Sequence, residues 1–112
     1  MALLTSAGTI GIGGLAESAG VAVAAGGDTF VNNGNVVIAI YNDHAADPRT
    51  ITIVSADPCD RGTTHSKTVT VTTKQTKFIA GFDVKRYNNT SNQVSLTYSD
   101  AGADLTVAVY QL

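Results

Sequence analysis

From Asp28 onward the chain keeps a two-residue period, and that period constrains its fold more than any other feature. Thr50-Ile51-Thr52-Ile53-Val54 and Thr68-Val69-Thr70-Val71-Thr72 alternate β-branched apolar side chains with hydroxyls. In an extended strand such alternation puts one kind on each face, so both segments read as half-buried strands. Val36-Val37-Ile38-Ala39-Ile40-Tyr41 is nearly continuous apolar sequence that stops at Asn42-Asp43-His44, which fits a central strand covered on both faces. Thr29-Phe30-Val31 and Lys77-Phe78-Ile79-Ala80 are shorter candidates. Gln93-Val94-Ser95-Leu96-Thr97-Tyr98 and Leu105-Thr106-Val107-Ala108-Val109-Tyr110 alternate again, and the short link Ser99-Asp100-Ala101-Gly102 between them predicts a hairpin.

About seven to eight short antiparallel strands at this spacing predict an all-β fold, a single β-sandwich of jelly-roll or Ig-like kind, over residues 27–112. No segment after Asp28 carries a helical stripe. The one helix candidate, Gly14-Leu15-Ala16-Glu17-Ser18-Ala19, is too short to stand alone. A chain of 112 residues holds one such domain, and there is neither an internal repeat nor room for a second.

Residues 1–26 have a different texture, rich in Gly and Ala with no sustained period. They are expected to form a flexible or partner-docking N-terminal arm. Ordering an eight-residue stretch of it costs roughly 8 to 16 kcal/mol of backbone entropy. At about 25 cal/mol per Å² it must bury several hundred Å² of apolar surface to stay ordered. Leu3, Leu4, Ile10, Ile12, Leu15, Val21 and Val23 supply that surface only against a neighbour or their own domain, and are the candidate partner-binding residues. The alternative is a frayed terminus. Met1-Ala2-Leu3-Leu4 has no preceding basic residue, and glycines interrupt the apolar run, so it reads as mature sequence rather than a signal peptide. No apolar stretch approaches the roughly 20 residues needed to cross a bilayer, and no membrane partner is expected.

Only 14% of the residues are charged and the net charge is −2, so much of the surface must be Thr, Ser, Asn, Gly and Ala. Such a surface is poorly defended against association. Charge is also uneven, because six of the seven Lys and Arg residues fall between Arg61 and Arg86, where Asp83 is the only acid. The basic residues lack the dense clustering and stacking aromatics of a nucleic-acid surface, so they read as a solvated face, or as one that complements an acidic partner.

Catalytic and cofactor chemistry finds little to work with. Gly11-Ile12-Gly13-Gly14-Leu15-Ala16 matches a loose dinucleotide fingerprint but lacks the strand before it and the helix after it. His44 with Asp43 and Asp47, or His65 with Cys59 and Asp60, are metal ligands by type without the spacing of a zinc site. Cys59, beside Arg61, is a lone cysteine that forms no internal disulfide and reads as an incidental thiol. No Gly-x-Ser-x-Gly elbow is present. The sequons at Asn88 and Asn89 read as a polar loop tip whose side chains bond to their own backbone. Neither an enzyme nor a bound cofactor is expected.

Gly27-Asp28-Thr29-Phe30-Val31-Asn32-Asn33-Gly34, the Val36–Asn42 strand, Thr50-Ile51-Thr52-Ile53, Val69-Thr70-Val71, Phe78-Ile79-Ala80-Gly81-Phe82, Tyr87-Asn88 and the two closing strands follow in an order that resembles small tailed-bacteriophage capsid decoration, or cement, proteins. Thr73-Lys74-Gln75-Thr76 departs from that family's Gly or Pro turn. The resemblance covers residues 27–112. It implies a non-catalytic β-sandwich made in the host cytoplasm and carried on the virion surface. There it would bind the major capsid protein, commonly as a homotrimer, and clamp neighbouring subunits. Another virion structural role, such as a head–tail or tail component, remains open, as do two other classes. A carbohydrate-binding module would need an aromatic platform, for which only Tyr41, Tyr87, Tyr98 and Tyr110 are at hand in a chain without Trp. A fibre or pilus subunit would donate its arm as a strand.

Overall fold

The alternating segments become the strands of two stacked sheets. The computed structural model describes residues 2–9, 20–55, 66–99 and 104–111. Its elements are β1 (Ala2–Leu4), β2 (Ser6–Thr9), β3 (Val21–Ala22), β4 (Asp28–Val31), β5 (Val36–Asn42), β6 (Arg49–Val54), β7 (Lys67–Val71), β8 (Gln75–Ile79), α1 (Val84–Tyr87), β9 (Gln93–Tyr98) and β10 (Leu105–Gln111). One sheet has the order β1-β4-β9-β6-β7, and the other β2-β10-β5-β8 with β3 also on β10. The architecture is an all-β sandwich. Its pairings are antiparallel except at the N-terminal edge, where β1 runs parallel to β4 and β2 parallel to β10.

Alternation decides what enters the core. Arg49, Ile51 and Ile53 of β6 are buried while Thr50, Thr52 and Val54 are half-exposed, as the period of two requires. Phe30, Ile38, Ile40, Ile51, Leu96 and Leu105 are fully buried between the sheets. The rings of Phe30 and Phe82 meet edge to face at 5.0 Å. β5 sits centrally between β10 and β8, and Ala39 on its outward face is buried with Ala108 and Tyr110. This strand is therefore apolar on both faces, and its run is continuous for that reason.

One expectation is corrected. The segments 93–98 and 105–110 do not form a hairpin: β9 lies between β4 and β6 in one sheet, and β10 lies beside β5 in the other. Each has one apolar face, and Val94, Leu96, Leu105, Val107 and Val109 are all buried when those faces oppose each other across the core. Alternation specifies the buried face of a strand and leaves its hydrogen-bonding neighbours open.

Within residues 1–26 the described residues include three short strands, β1 paired with β4 and β2 and β3 paired with β10. The chain leaves the first sheet for the second at Thr5, between β1 and β2. Leu4 and Val23 are buried in the domain's own core, so part of the apolar surface that ordering demands is supplied internally. Gly20 runs close to β10, where a Cβ would lie 2.9 Å from the Val107 nitrogen, so a glycine is required there. The helix candidate at 14–19 lies outside the described residues. The short α1 carries no buried residue and thus no stripe to read; Asp83 starts it by accepting the Lys85 N–H at 3.0 Å.

Candidate functional site

A two-sheet sandwich has two open sides, and the chain treats them differently. On one side the edges are β1 and the β2 and β3 segments on β10. Here a cleft of about 420 Å³ opens between the sheets, with Leu3, Leu4, Val21, Asp28, Val107 and Val109 among its walls. Leu3 and Val21, 55% and 56% exposed, stand at its rim. Leu4 lines it from the core side, and Val23 is buried in the core. The structure therefore gathers Leu3, Leu4 and Val21 at one opening and turns Val23 inward. Ile10, Ile12 and Leu15 lie outside the described residues.

Asp28 was legible only as the start of the strand pattern, yet it is the polar centre of this edge. It pairs in register with Ala2 on one side and Leu96 on the other, and only 1% of it is exposed. Its Oδ2 accepts the Tyr98 hydroxyl at 2.6 Å and the Ala24 N–H at 3.3 Å. Burial of the ring, then the hydrogen bond to Asp28, pushes the Tyr98 hydroxyl far above the ordinary tyrosine range. Tyr98 therefore stays a neutral donor. The pair joins β4 to β9 beneath the cleft, and its members are 70 residues apart in sequence.

The opposite side is bounded by β7 and β8. A smaller opening of about 210 Å³ there is lined by Ile53, Lys67, Val69, Ile79 and Tyr87, among others. Lys77 Nζ donates to the Thr70 carbonyl at 2.9 Å, tying the two edge strands together. The turn between them contains Lys74 at φ 56°, so a lysine takes the left-handed conformation that glycine usually supplies. Its ammonium reaches back to Asp43 Oδ1 at 2.6 Å, which also accepts the Tyr41 hydroxyl at 3.1 Å. The hydrogen bond from Lys74 holds the Asp43 carboxyl below its usual range, and the same contact raises Lys74. The hydrogen bond to Asp43 raises Tyr41.

The histidine candidates do not build a metal centre in the described residues. His44 Nδ1 accepts the Ala46 and Asp47 N–H groups at 3.1 and 2.9 Å, which spends that nitrogen on the loop. Asn42, fully buried, donates to the Asp47 and Val71 carbonyls and accepts the His44 N–H, so it anchors the same loop. Among the described residues, no group of three or more His, Cys, Asp or Glu is placed to hold a metal ion. Cys59, Asp60 and His65 lie outside them. Asn89 Oδ1 accepts the Ser91 and Gln93 N–H groups, the backbone-bonded loop that its composition suggests. Comparison with protein-family profiles, curated protein sequences and solved structures finds no match.

Proposed function

We propose that this protein is a structural β-sandwich that docks on a protein surface through its N-terminal edge. In this reading it is a capsid decoration protein, bound to major capsid subunits on the outside of a tailed-phage head as a homotrimer and without catalysis. The observation that carries the docking reading is the exposure of Leu3 and Val21 around a cleft at the N-terminal edge of the sandwich. Large apolar side chains grouped at an opening are surface that a partner covers with gain. The sparse charge of the chain favours such contacts, since little repulsion opposes them. The assignment of the partner as a capsid shell comes from the order of strands and turns in residues 27–112.

Co-sedimentation with undecorated phage shells tests the reading. Full-length protein is expected to bind saturably, and Leu3→Glu and Val21→Glu to bind at least tenfold more weakly, a loss of about 1.4 kcal/mol that one covered side chain supplies. Absence of binding to shells, or equal binding by both variants, overturns it.

A further inference from the structure

We propose that Asn33 is a site of spontaneous deamidation in the folded protein, and that the buried Asn32 side chain sets its rate by holding the Gly34 amide. The site lies in the turn between β4 and β5 and is independent of the docking reading.

The chemistry starts in the sequence. Asn33 alone among the chain's asparagines precedes a glycine, so no side chain shields the backbone nitrogen that must attack it. Hydroxide removes the Gly34 amide proton, and the nitrogen bonds to Asn33 Cγ. The carboxamide nitrogen then leaves as ammonia, taking a proton from water, and a cyclic imide remains. Water opens the imide at either carbonyl to give aspartate or isoaspartate, so the sum is asparagine plus water to acid plus ammonia. Asn33, Gly34 and Asn35 are all exposed, and both hydroxide and water reach them.

The turn activates one half of this reaction and restrains the other. Asn33 Oδ1 accepts the Asn35 N–H at 2.9 Å, which polarises the carbonyl and would hold the charge that develops on its oxygen. The nucleophile is guarded. Gly34 N–H donates to Asn32 Oδ1 at 2.9 Å, and an amide in such a bond gives up its proton less readily. Asn32, only 3% exposed, is itself held in place. Its Nδ2 donates to the Phe82 carbonyl at 3.0 Å and to Asn88 Oδ1 at 2.7 Å, while its backbone carbonyl accepts from Asn88 Nδ2 at 2.8 Å. Reaction therefore waits for a local opening in which Asn32 releases the Gly34 amide. Each product adds a negative charge, and isoaspartate also lengthens the backbone in a link between the two sheets.

Peptide mapping by mass spectrometry provides the test, on full-length protein incubated in mildly alkaline buffer either folded or in urea. Asn33 is expected to convert faster than any other asparagine of the folded chain, and at least tenfold more slowly there than in urea. Asn32→Ala should speed conversion at Asn33 of the folded chain at least threefold. The rate at Asn89 should stay unchanged in that variant, which separates release of the Gly34 amide from general unfolding. If Asn32→Ala does not fold, the folded and urea rates of the unaltered chain still decide. Equal rates in the two states, a faster site elsewhere in the folded chain, or no acceleration by a folded Asn32→Ala would overturn the proposal. So would no product at Asn33 of the folded chain after the unfolded chain has passed about a hundred half-lives. Aspartate formed without isoaspartate would overturn it too, because direct hydrolysis rather than attack by Gly34 gives that result.

Discussion

Asp28 and Tyr98 show how much one residue pair carries in a sandwich this small. The Tyr98 hydroxyl gives the buried carboxylate a short hydrogen bond, and hydrogen bonds to charged groups are worth about 1.5–3 kcal/mol. Tyr98→Phe is expected to lower stability at neutral pH by that amount, measured by urea unfolding. The pH dependence has a definite sign. A hydroxyl whose folded pKa is raised contributes stability that is complete below the ordinary value of 10.0 and is lost as pH rises from there toward the folded value. The unaltered protein should therefore lose stability above about pH 10 more steeply than Tyr98→Phe. Parallel curves for the two proteins would show that the hydroxyl ionises as freely in the fold as in the unfolded chain. Asp28 was visible in the sequence as the residue after Gly26-Gly27, where the period of two begins. Its partner was not visible, because nothing local links a tyrosine at the end of β9 to an aspartate 70 residues earlier.

At the scale of the element, β1 and β2 decide where the domain begins. They pair with β4 and β10, and Leu4 packs in the core while its neighbour Leu3 stays exposed. Leu4→Ala should cost about 2–3 kcal/mol, near the low end of core leucine truncations. Leu3→Ala should change stability by less than about 0.5 kcal/mol, as an exposed site does. Deletion of residues 1–9 should then abolish cooperative unfolding or lower its midpoint substantially, since it removes an edge from each sheet. An unchanged urea midpoint after that deletion would return these residues to the status of an arm. The two strands were concealed in the sequence because Ala-Leu-Leu and Ser-Ala-Gly-Thr are short and carry, apart from Thr9, none of the β-branched signature by which β6 and β7 announce themselves. What makes β1 a strand is the open edge of β4 beside it.

At the scale of the whole molecule, the fold separates its charges. The sheet order places β1 and β7 at opposite edges, so the side without basic residues among those described and the side with Lys67 and Lys77 face apart. If Lys77 guards the β8 edge, replacing it with an apolar residue of strand propensity should open that edge. Lys77→Val is expected to sediment as larger species than the unaltered chain at equal concentration, in a concentration-dependent manner by analytical ultracentrifugation. Identical sedimentation would assign Lys77 to tying β8 to Thr70 and nothing more.

The sequence by itself determined the fold class, the seven strands from Asp28 onward and, for β6 and β7, the face each one buries. These properties are local, because side-chain period and branching act within five or six residues. The tertiary structure decided the rest. It set β9 and β10 in different sheets although they are consecutive, since their apolar faces are best covered by each other. It recruited Leu4 and Val23 to the core, and it brought Leu3, Val21, Asp28 and Val107 to one opening. Sheet neighbours and clefts arise from pairing between distant segments, and two strands with the same alternation offer a third strand equally good edges. Only the mutual fit of all the strands around one core chooses among them.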